Sequence, residues 1–96
     1  MYFIVMIAID QHKNRLIVGR TAGMFRRYKT AKSALRGNYN DLTDGGIYDY
    51  CCIEWINCRI YPSCEKRWFY QYDYDKDYWK PCEELSQFKH NAKIAF

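Results

Sequence analysis

Cysteine and histidine are the residue types in this sequence best suited to nucleophilic or metal chemistry, and the chain contains five cysteines and two histidines. A zinc site would begin with Cys58 and Cys64. Cys82 or His90 would complete it, but zinc domains usually carry closely paired ligands and this chain has no C-x-x-C. No recognisable nucleophile motif contains His12 or His90, and a Cys82–His90 dyad is the remaining alternative for catalysis. We therefore expect free, mostly buried thiols, no metal, no cofactor and no enzymatic activity.

Four acidic residues fit positions one, three, five and twelve of a calcium-binding loop: Asp73, Asp75, Asp77 and Glu84. The pattern fails elsewhere, because Tyr78 stands where the loop requires glycine and a strand-like segment precedes it instead of a helix. The stretch is better interpreted as an acidic β-turn.

The segment from Gln11 to Asn40 is strongly basic and contains no Asp or Glu. It holds eight of the fifteen basic residues: Lys13, Arg15, Arg20, Arg26, Arg27, Lys29, Lys32 and Arg36. Residues 51–96 carry seven basic and seven acidic side chains, so the net charge of +4 comes from the first half. Like charges repel on a compact surface, which indicates an anionic partner, although a solvated helix face would also use cations. We predict that six of them bind this partner: Arg20, Arg26, Arg27, Lys29, Lys32 and Arg36.

Aromatic residues alternate along one predicted strand, at Trp68, Tyr70, Tyr72 and Tyr74. Such a row resembles the stacking surfaces of single-strand RNA binders, but Gln71 and Asp73 between them favour a buried core role for the aromatic face. Four tyrosines are candidate aromatic contacts to the partner: Tyr28, Tyr39, Tyr72 and Tyr74.

These residues need a scaffold, and 96 residues with 49% hydrophobic and 19% aromatic side chains are enough for one domain spanning 1–96. Residues 2–9 form an almost unbroken apolar run that predicts a central strand, and residues 15–19 predict its hairpin partner. The alternation from Ile47 to Ile56 and from Arg67 to Tyr74 predicts two more strands. A turn at residues 75–77 then predicts a further short strand that begins at Tyr78-Trp79.

Two helices are expected. Thr30 is a candidate N-cap for a short helix over residues 31–36, with Gly37 in the C′ position. Tyr28, Ala31 and Leu35 share one stripe of this helix, and its cations share the adjoining stripe. Pro81 at a first helical position and acidic residues after it predict a C-terminal helix. The fold class is α+β, a mostly antiparallel sheet in the order β-β-α-β-β, with the extra strand and the C-terminal helix following.

Residues 1–9 lack the basic start of a signal peptide, and no stretch approaches the roughly 18 apolar residues of a membrane span. We expect a soluble, cytoplasmic protein of a bacterial host, either monomeric or homodimeric, with no membrane association.

In its size, its richness in Lys, Asn, Tyr and Ile, and its lack of an enzymatic motif, the chain resembles small accessory proteins of phages and mobile elements, including anti-CRISPR inhibitors. This resemblance of type implies a non-enzymatic binder that blocks a host protein or nucleoprotein complex by occlusion. The alternative is a small phage regulator that binds RNA or DNA directly, which steep salt dependence would reveal.

Overall fold

In the computed structural model, which describes residues 1–13, 15–38 and 41–86, one helix lies on a five-stranded antiparallel sheet. The strands are β1 (Tyr2–Asp10), β2 (Arg15–Phe25), β3 (Tyr50–Asn57), β4 (Ser63–Asp73) and β5 (Tyr78–Cys82), and the helix is α1 (Tyr28–Gly37). The strand order is β2-β1-β3-β4-β5. The α+β class, the antiparallel sheet and the extra strand are confirmed.

The central position predicted for β1 is also confirmed. It pairs with β2 on one side and with β3 on the other, and its residues from Phe3 to Ala8 are buried on both faces of the sheet. A strand covered on both faces has no solvent side, which explains why its sequence is apolar without alternation.

Strand β2 continues to Phe25, beyond the segment of residues 15–19 predicted for it. Two irregularities explain the difference. Val5 pairs with Thr21 while Ile4 pairs with Gly23, which leaves Ala22 as an extra residue, and Ile17 is extra in the same way between the partners of Ala8 and Ile9. Each bulge reverses the inward and outward alternation from which a strand is recognised in a sequence.

The helix begins earlier than its sequence signals indicate. Its N-cap is Arg27, whose side chain makes no capping hydrogen bond, and Thr30 lies within the first turn. At the other end Gly37 is still helical, and Asn38 adopts the left-handed conformation with φ 45°. Asparagine tolerates this conformation well, and the side-chain oxygen of Asn38 accepts hydrogen bonds from Leu42 N at 3.0 Å and Trp79 Nε1 at 3.2 Å. These two bonds tie the end of α1 to the following loop and to β5.

The last two strands also differ from expectation. Strand β4 begins at Ser63, four residues before the predicted start, because the weak segment after Pro62 pairs with the end of β3. Pro81 lies in β5 rather than in the first turn of a helix. Proline is tolerated there because β5 is an edge strand with no partner on its outer side within the described residues. Residues 83–85 have no regular secondary structure, so the start predicted for the C-terminal helix is wrong, and the rest of that prediction falls on residues 87–96, outside the described part of the chain.

Both faces of the sheet are buried. The side that carries α1, called the helix side below, packs Ile4, Met6, Cys51, Ile53, Tyr70, Tyr72 and Trp79 against Ala31 and Leu35 of the helix. The opposite side contains a second cluster of Phe3, Val5, Ile7, Cys52, Ile56 and Phe69, with Leu85 packed against it. Within residues 1–13, 15–38 and 41–86, no helix has both the length and the apolar composition needed to cross a membrane.

Candidate functional site

The position of α1 determines which way its cations point. Ala31 and Leu35 are its fully buried residues, and they seat the helix on the sheet. At 100° per residue, Tyr28, Lys32 and Arg36 then lie on the flank that faces β4 and β5, and Lys29 lies on the outward surface. Lys32 and Arg36 line a depression shared with Tyr70 and Trp79, in agreement with this placement. The predicted division of the helix into an apolar stripe and a cationic stripe is confirmed.

Tyr28, the first residue of α1, belongs to a group of four rings joined by ring contacts. This group is called here the aromatic cluster and consists of Tyr2, Tyr28, Trp55 and Trp68. The Tyr28 and Trp68 ring centroids are 4.5 Å apart, and those of Tyr2 and Tyr28 are 6.0 Å apart in an edge-on arrangement. Tyr2 also stacks on Trp55 at 6.4 Å with an interplanar angle of 27°. Offset and edge-to-face contacts of this kind stabilise ring pairs beyond the area that they bury.

A hydrogen bond fixes Tyr28 to the sheet. Its hydroxyl lies 2.9 Å from the Tyr70 hydroxyl. Burial, followed by this hydrogen bond, raises the pKa of Tyr70 well above its ordinary value. This hydrogen bond joins the first residue of α1 to β4.

Cations surround the aromatic cluster. The Lys66 ammonium lies 4.9 Å from the Trp68 ring centroid, and the Lys32 ammonium lies 5.9 Å from that of Tyr28. Arg26 and Arg27 are in the short link between Phe25, which is opposite Tyr2 in the sheet, and Tyr28. Both lysines thus make a cation–π contact with a ring of the cluster, and Arg26 and Arg27 directly precede its Tyr28 in the chain.

The cations of this surface lack carboxylate partners in the part of the chain that the structure describes. No Asp or Glu oxygen in residues 1–13, 15–38 or 41–86 lies within 4.0 Å of Arg26, Arg27, Lys29, Lys32 or Arg36. The ion pair in these residues is instead between Arg67 and Glu54, at 2.7 Å, on the opposite side of the sheet. Glu54 is fully buried, and its register opposite Arg67 makes this a cross-strand structural pair.

The start of α1 concentrates positive charge where a helix least favours it. The N-terminal end of a helix carries a partial positive charge, and acidic side chains or a polar N-cap usually stabilise it. Here the first turn contains no acidic residue, the N-cap is Arg27, and Lys29 follows. The local sequence therefore works against helix stability and increases the positive potential of this surface.

A groove of about 470 Å³ lies beside the aromatic cluster, between α1 and β4. Tyr28, Lys32, Lys66 and Trp68 contribute to its walls, as do the acidic residues Glu65 and Glu84. Its charge is mixed, so the groove is less suited to an anion than the outer surface of α1 and the end of the sheet.

The other predicted contact residues are dispersed. Arg20 lies on β2 beside Asp41 and Asp44 of the loop after the helix, away from the cluster. Tyr72 is buried in the core, with its hydroxyl hydrogen-bonded to Asp77, and has little surface for a partner. Tyr74 is exposed on the far end of β4. Its hydroxyl donates a hydrogen bond to Asp49 at 2.6 Å. Tyr39 is outside the described residues.

Four contributors to the surface were absent from the predicted set of contact residues: Tyr2, Trp55, Lys66 and Trp68, the last of which was assigned to the core. Trp55 is the clearest of them because its neighbours Glu54 and Ile56 are fully buried whereas 41% of Trp55 is exposed. Its position near the end of a predicted strand was the feature of the sequence that could have indicated its exposure. Its proximity to Tyr2 and Lys66 depends on strand pairing, which the sequence does not display.

Most of the described residues considered for metal binding or thiol chemistry lie in a β-turn or in the packed sheet. The Asp73 carboxylate accepts hydrogen bonds from the backbone N–H groups of Asp75 and Lys76, both at 3.0 Å, as in an acidic β-turn. Cys51 and Cys52 are buried on opposite sides of the sheet. Among residues 1–13, 15–38 and 41–86, no three His, Cys, Asp or Glu side chains converge as metal ligands would.

The chain matches no protein-family model, and no curated protein or solved structure is significantly similar to it. The functional interpretation therefore depends on the geometry and charge of this surface.

Proposed function

We propose that this protein is a non-enzymatic inhibitor of the anti-CRISPR type, which docks its cationic helix surface on an anionic face of a host effector complex and blocks it by occlusion. The docking residues are Arg26, Arg27, Lys29, Lys32 and Arg36. The observation that carries the proposal is that these five cations have no carboxylate partner within 4.0 Å among the described residues. Charges that do not stabilise their own fold remain available to a partner.

The surroundings of these cations support the same interpretation. Interfaces are enriched in Arg, Tyr and Trp, and such residues carry much of the binding energy when they are grouped. Arg26 and Arg27 directly precede the half-buried Tyr28, which belongs to the same aromatic cluster as the exposed Trp55. The surface thus combines long-range electrostatic attraction with large rings that are held in place by their neighbours.

The test compares two charge-reversed variants of equal net charge. The first changes the five docking residues to Glu, and the second changes five exposed cations elsewhere: Lys13, Arg15, Arg59, Lys76 and Lys80. Each is expressed in a bacterium whose CRISPR immunity restricts a phage, and plaque formation is counted. The unmodified protein and the control variant should restore plaques, and the docking variant should lose most of this effect.

Circular dichroism of the purified variants must show that both retain the native fold. Full inhibition by the folded docking variant would refute the proposal. Equal loss in both variants would also refute it, because the effect would then depend on net charge rather than on this surface.

A second candidate function is direct binding of nucleic acid as a small regulator. The contacts of Lys66 with Trp68 and of Lys32 with Tyr28 favour it, because rings beside cations suit bases beside phosphates. A gel shift on mixed DNA and RNA oligonucleotides distinguishes the two functions. A free regulator shifts double-stranded as well as single-stranded oligonucleotides at low salt, with a steep loss of affinity as salt rises, whereas an inhibitor directed at a host complex leaves the duplexes unshifted.

A further inference from the structure

The last row of the helix side of the sheet forms a continuous line across four strands. Phe25 of β2 pairs with Tyr2 of β1, Tyr2 pairs with Trp55 of β3, and Trp55 pairs with Lys66 of β4. Directly paired residues point to the same face, and neighbouring strands are about 4.8 Å apart. Three rings and one cation therefore lie side by side in a single row.

We propose that this row binds a single-stranded nucleic acid, with one base stacked on the Trp55 indole and the flanking phosphates held by Lys66 on one side and by Arg26 and Arg27 on the other. This inference rests on the proposed function, since it gives the anionic partner a definite chemistry: an accessible single strand, such as one carried by an effector complex.

The exposure of Trp55 is the first support for this site. Trp55 is 41% exposed on a strand whose adjoining residues are fully buried, so part of its large flat ring is open to the outside. Tyr2 stacks against it at 6.4 Å and 27°, which fixes the plane of the ring. A ring that is exposed and already oriented is suited to stacking on a base, because little side-chain freedom remains to be lost on binding.

The placement of the cations is the second support. Lys66 is directly opposite Trp55, so their Cβ atoms are about 5 Å apart. On the other side, the chain that leads to Arg26 and Arg27 leaves the sheet at Phe25, two strands or about 10 Å from Trp55. A base on Trp55 would thus lie between two cationic groups, the arrangement that a sugar–phosphate backbone crossing the row requires.

The rings favour a single strand over an acidic protein segment or a duplex. A carboxylate is attracted to the cations alone and gains nothing from the face of an indole, whose quadrupole is negative. A duplex keeps its bases stacked on one another, so that no base face is free to stack on the indole. The combination of an exposed indole with cations on both sides therefore distinguishes unpaired bases from other anions.

The test measures fluorescence anisotropy of labelled (dT)10 and (rU)10 at low salt, with an unlabelled DNA duplex and poly-glutamate as competitors. Trp55→Leu removes the ring and keeps an apolar side chain. We expect this variant to bind about 5- to 150-fold more weakly, which corresponds to the roughly 1–3 kcal/mol lost with one stacked base. Trp55→Phe should retain affinity within about threefold, and Lys66→Gln should reduce the salt slope by about 0.7, the value for one phosphate contact on a single strand.

Ile60→Ala is the matched control, because Ile60 is 91% exposed on the β3–β4 connection and lies outside the row. Its affinity should equal that of the unmodified protein. Equal binding by Trp55→Leu and the unmodified protein would overturn the inference, as would competition by poly-glutamate or duplex as effective as that of the single strand.

The absence of any oligonucleotide binding would also overturn this inference, while leaving the proposed function intact if the five-residue charge reversal still abolishes inhibition. Conversely, oligonucleotide binding that depends on Trp55, combined with no effect of charge reversal on plaque formation, would support the site and refute the inhibitor function.

Discussion

The attachment of α1 to the sheet depends on very few side chains, which makes Leu35→Ala an informative substitution. The helix has ten residues, fewer than the roughly 12–15 at which isolated helices become stable in water. Its N-cap side chain makes no hydrogen bond, and its first turn contains no acidic residue. Packing must therefore hold it in place, and Leu35, which is 2% exposed, is the largest of its fully buried side chains.

The expected loss of stability follows from the atoms removed. Leu35→Ala deletes three carbon atoms, worth about 2.4 kcal/mol at roughly 0.8 kcal/mol for each buried methylene. The cavity that remains adds to this loss, so a total of about 2–5 kcal/mol is expected. This is a large fraction of the roughly 5–15 kcal/mol that stabilises a domain of ordinary size.

Urea unfolding followed by tryptophan fluorescence measures this difference. With a slope of about 1–3 kcal/mol per molar urea, the midpoint should fall by about 1–3 M. Ile17→Ala is the control, since Ile17 is 65% exposed and its truncation should cost less than about 0.5 kcal/mol. A midpoint for Leu35→Ala within about 0.3 M of that of the control would refute the conclusion that Leu35 seats the helix.

Three further outcomes are expected. Arg27→Ser should stabilise the protein by about 1 kcal/mol in the same urea experiment while weakening partner binding, because serine supplies the missing cap and removes a docking cation; a loss of stability would contradict this. Tyr28→Phe should cost about 0.5–1.5 kcal/mol by removing the hydrogen bond to Tyr70, and a double-mutant cycle with Tyr70→Phe should show that the two effects are not additive. With a thiol reagent at pH 8, the exposed Cys58 should react fast and Cys64 slowly, because burial raises the pKa of Cys64 to about 11. The rate at which Cys64 reacts should then increase with pH up to about 11. The stability of the protein should fall between pH 9 and 11, because the folded state retains a proton that the unfolded state has lost. Equal reaction rates of Cys58 and Cys64 at pH 8 would contradict this.

The sequence predicted those parts of the fold that depend on local patterns. The unbroken apolar run of β1 and the alternation of Trp68, Tyr70 and Tyr72 were interpreted correctly because burial on one or both faces leaves a direct trace in composition. The stripe of Ala31 and Leu35 was also recognised, since helical periodicity is local.

Other parts depend on pairing between distant segments, which no short window shows. The second half of β2 was missed because each bulge shifts the alternation by one residue, and the run Thr21-Ala22-Gly23 has little strand character of its own. Pro81 was assigned to a helix because its tolerance at a sheet edge depends on where β5 lies. The candidate site shows the same limit: its cations were visible as a charge pattern, whereas Trp55 joins them through register with residues more than fifty positions earlier.

The two bulges of β2 also have a consequence for self-association. An edge strand of eleven residues with exposed Ile17, Val18 and Met24 would ordinarily be an open template on which another copy of the chain could add a strand. The extra residues at Ile17 and Ala22 twist the strand and interrupt its regular series of outward N–H and C=O groups, so that a second, identical edge cannot stay in register with it over its whole length. The two bulges of β2 therefore disfavour continuous growth of the sheet by edge-to-edge pairing of this strand.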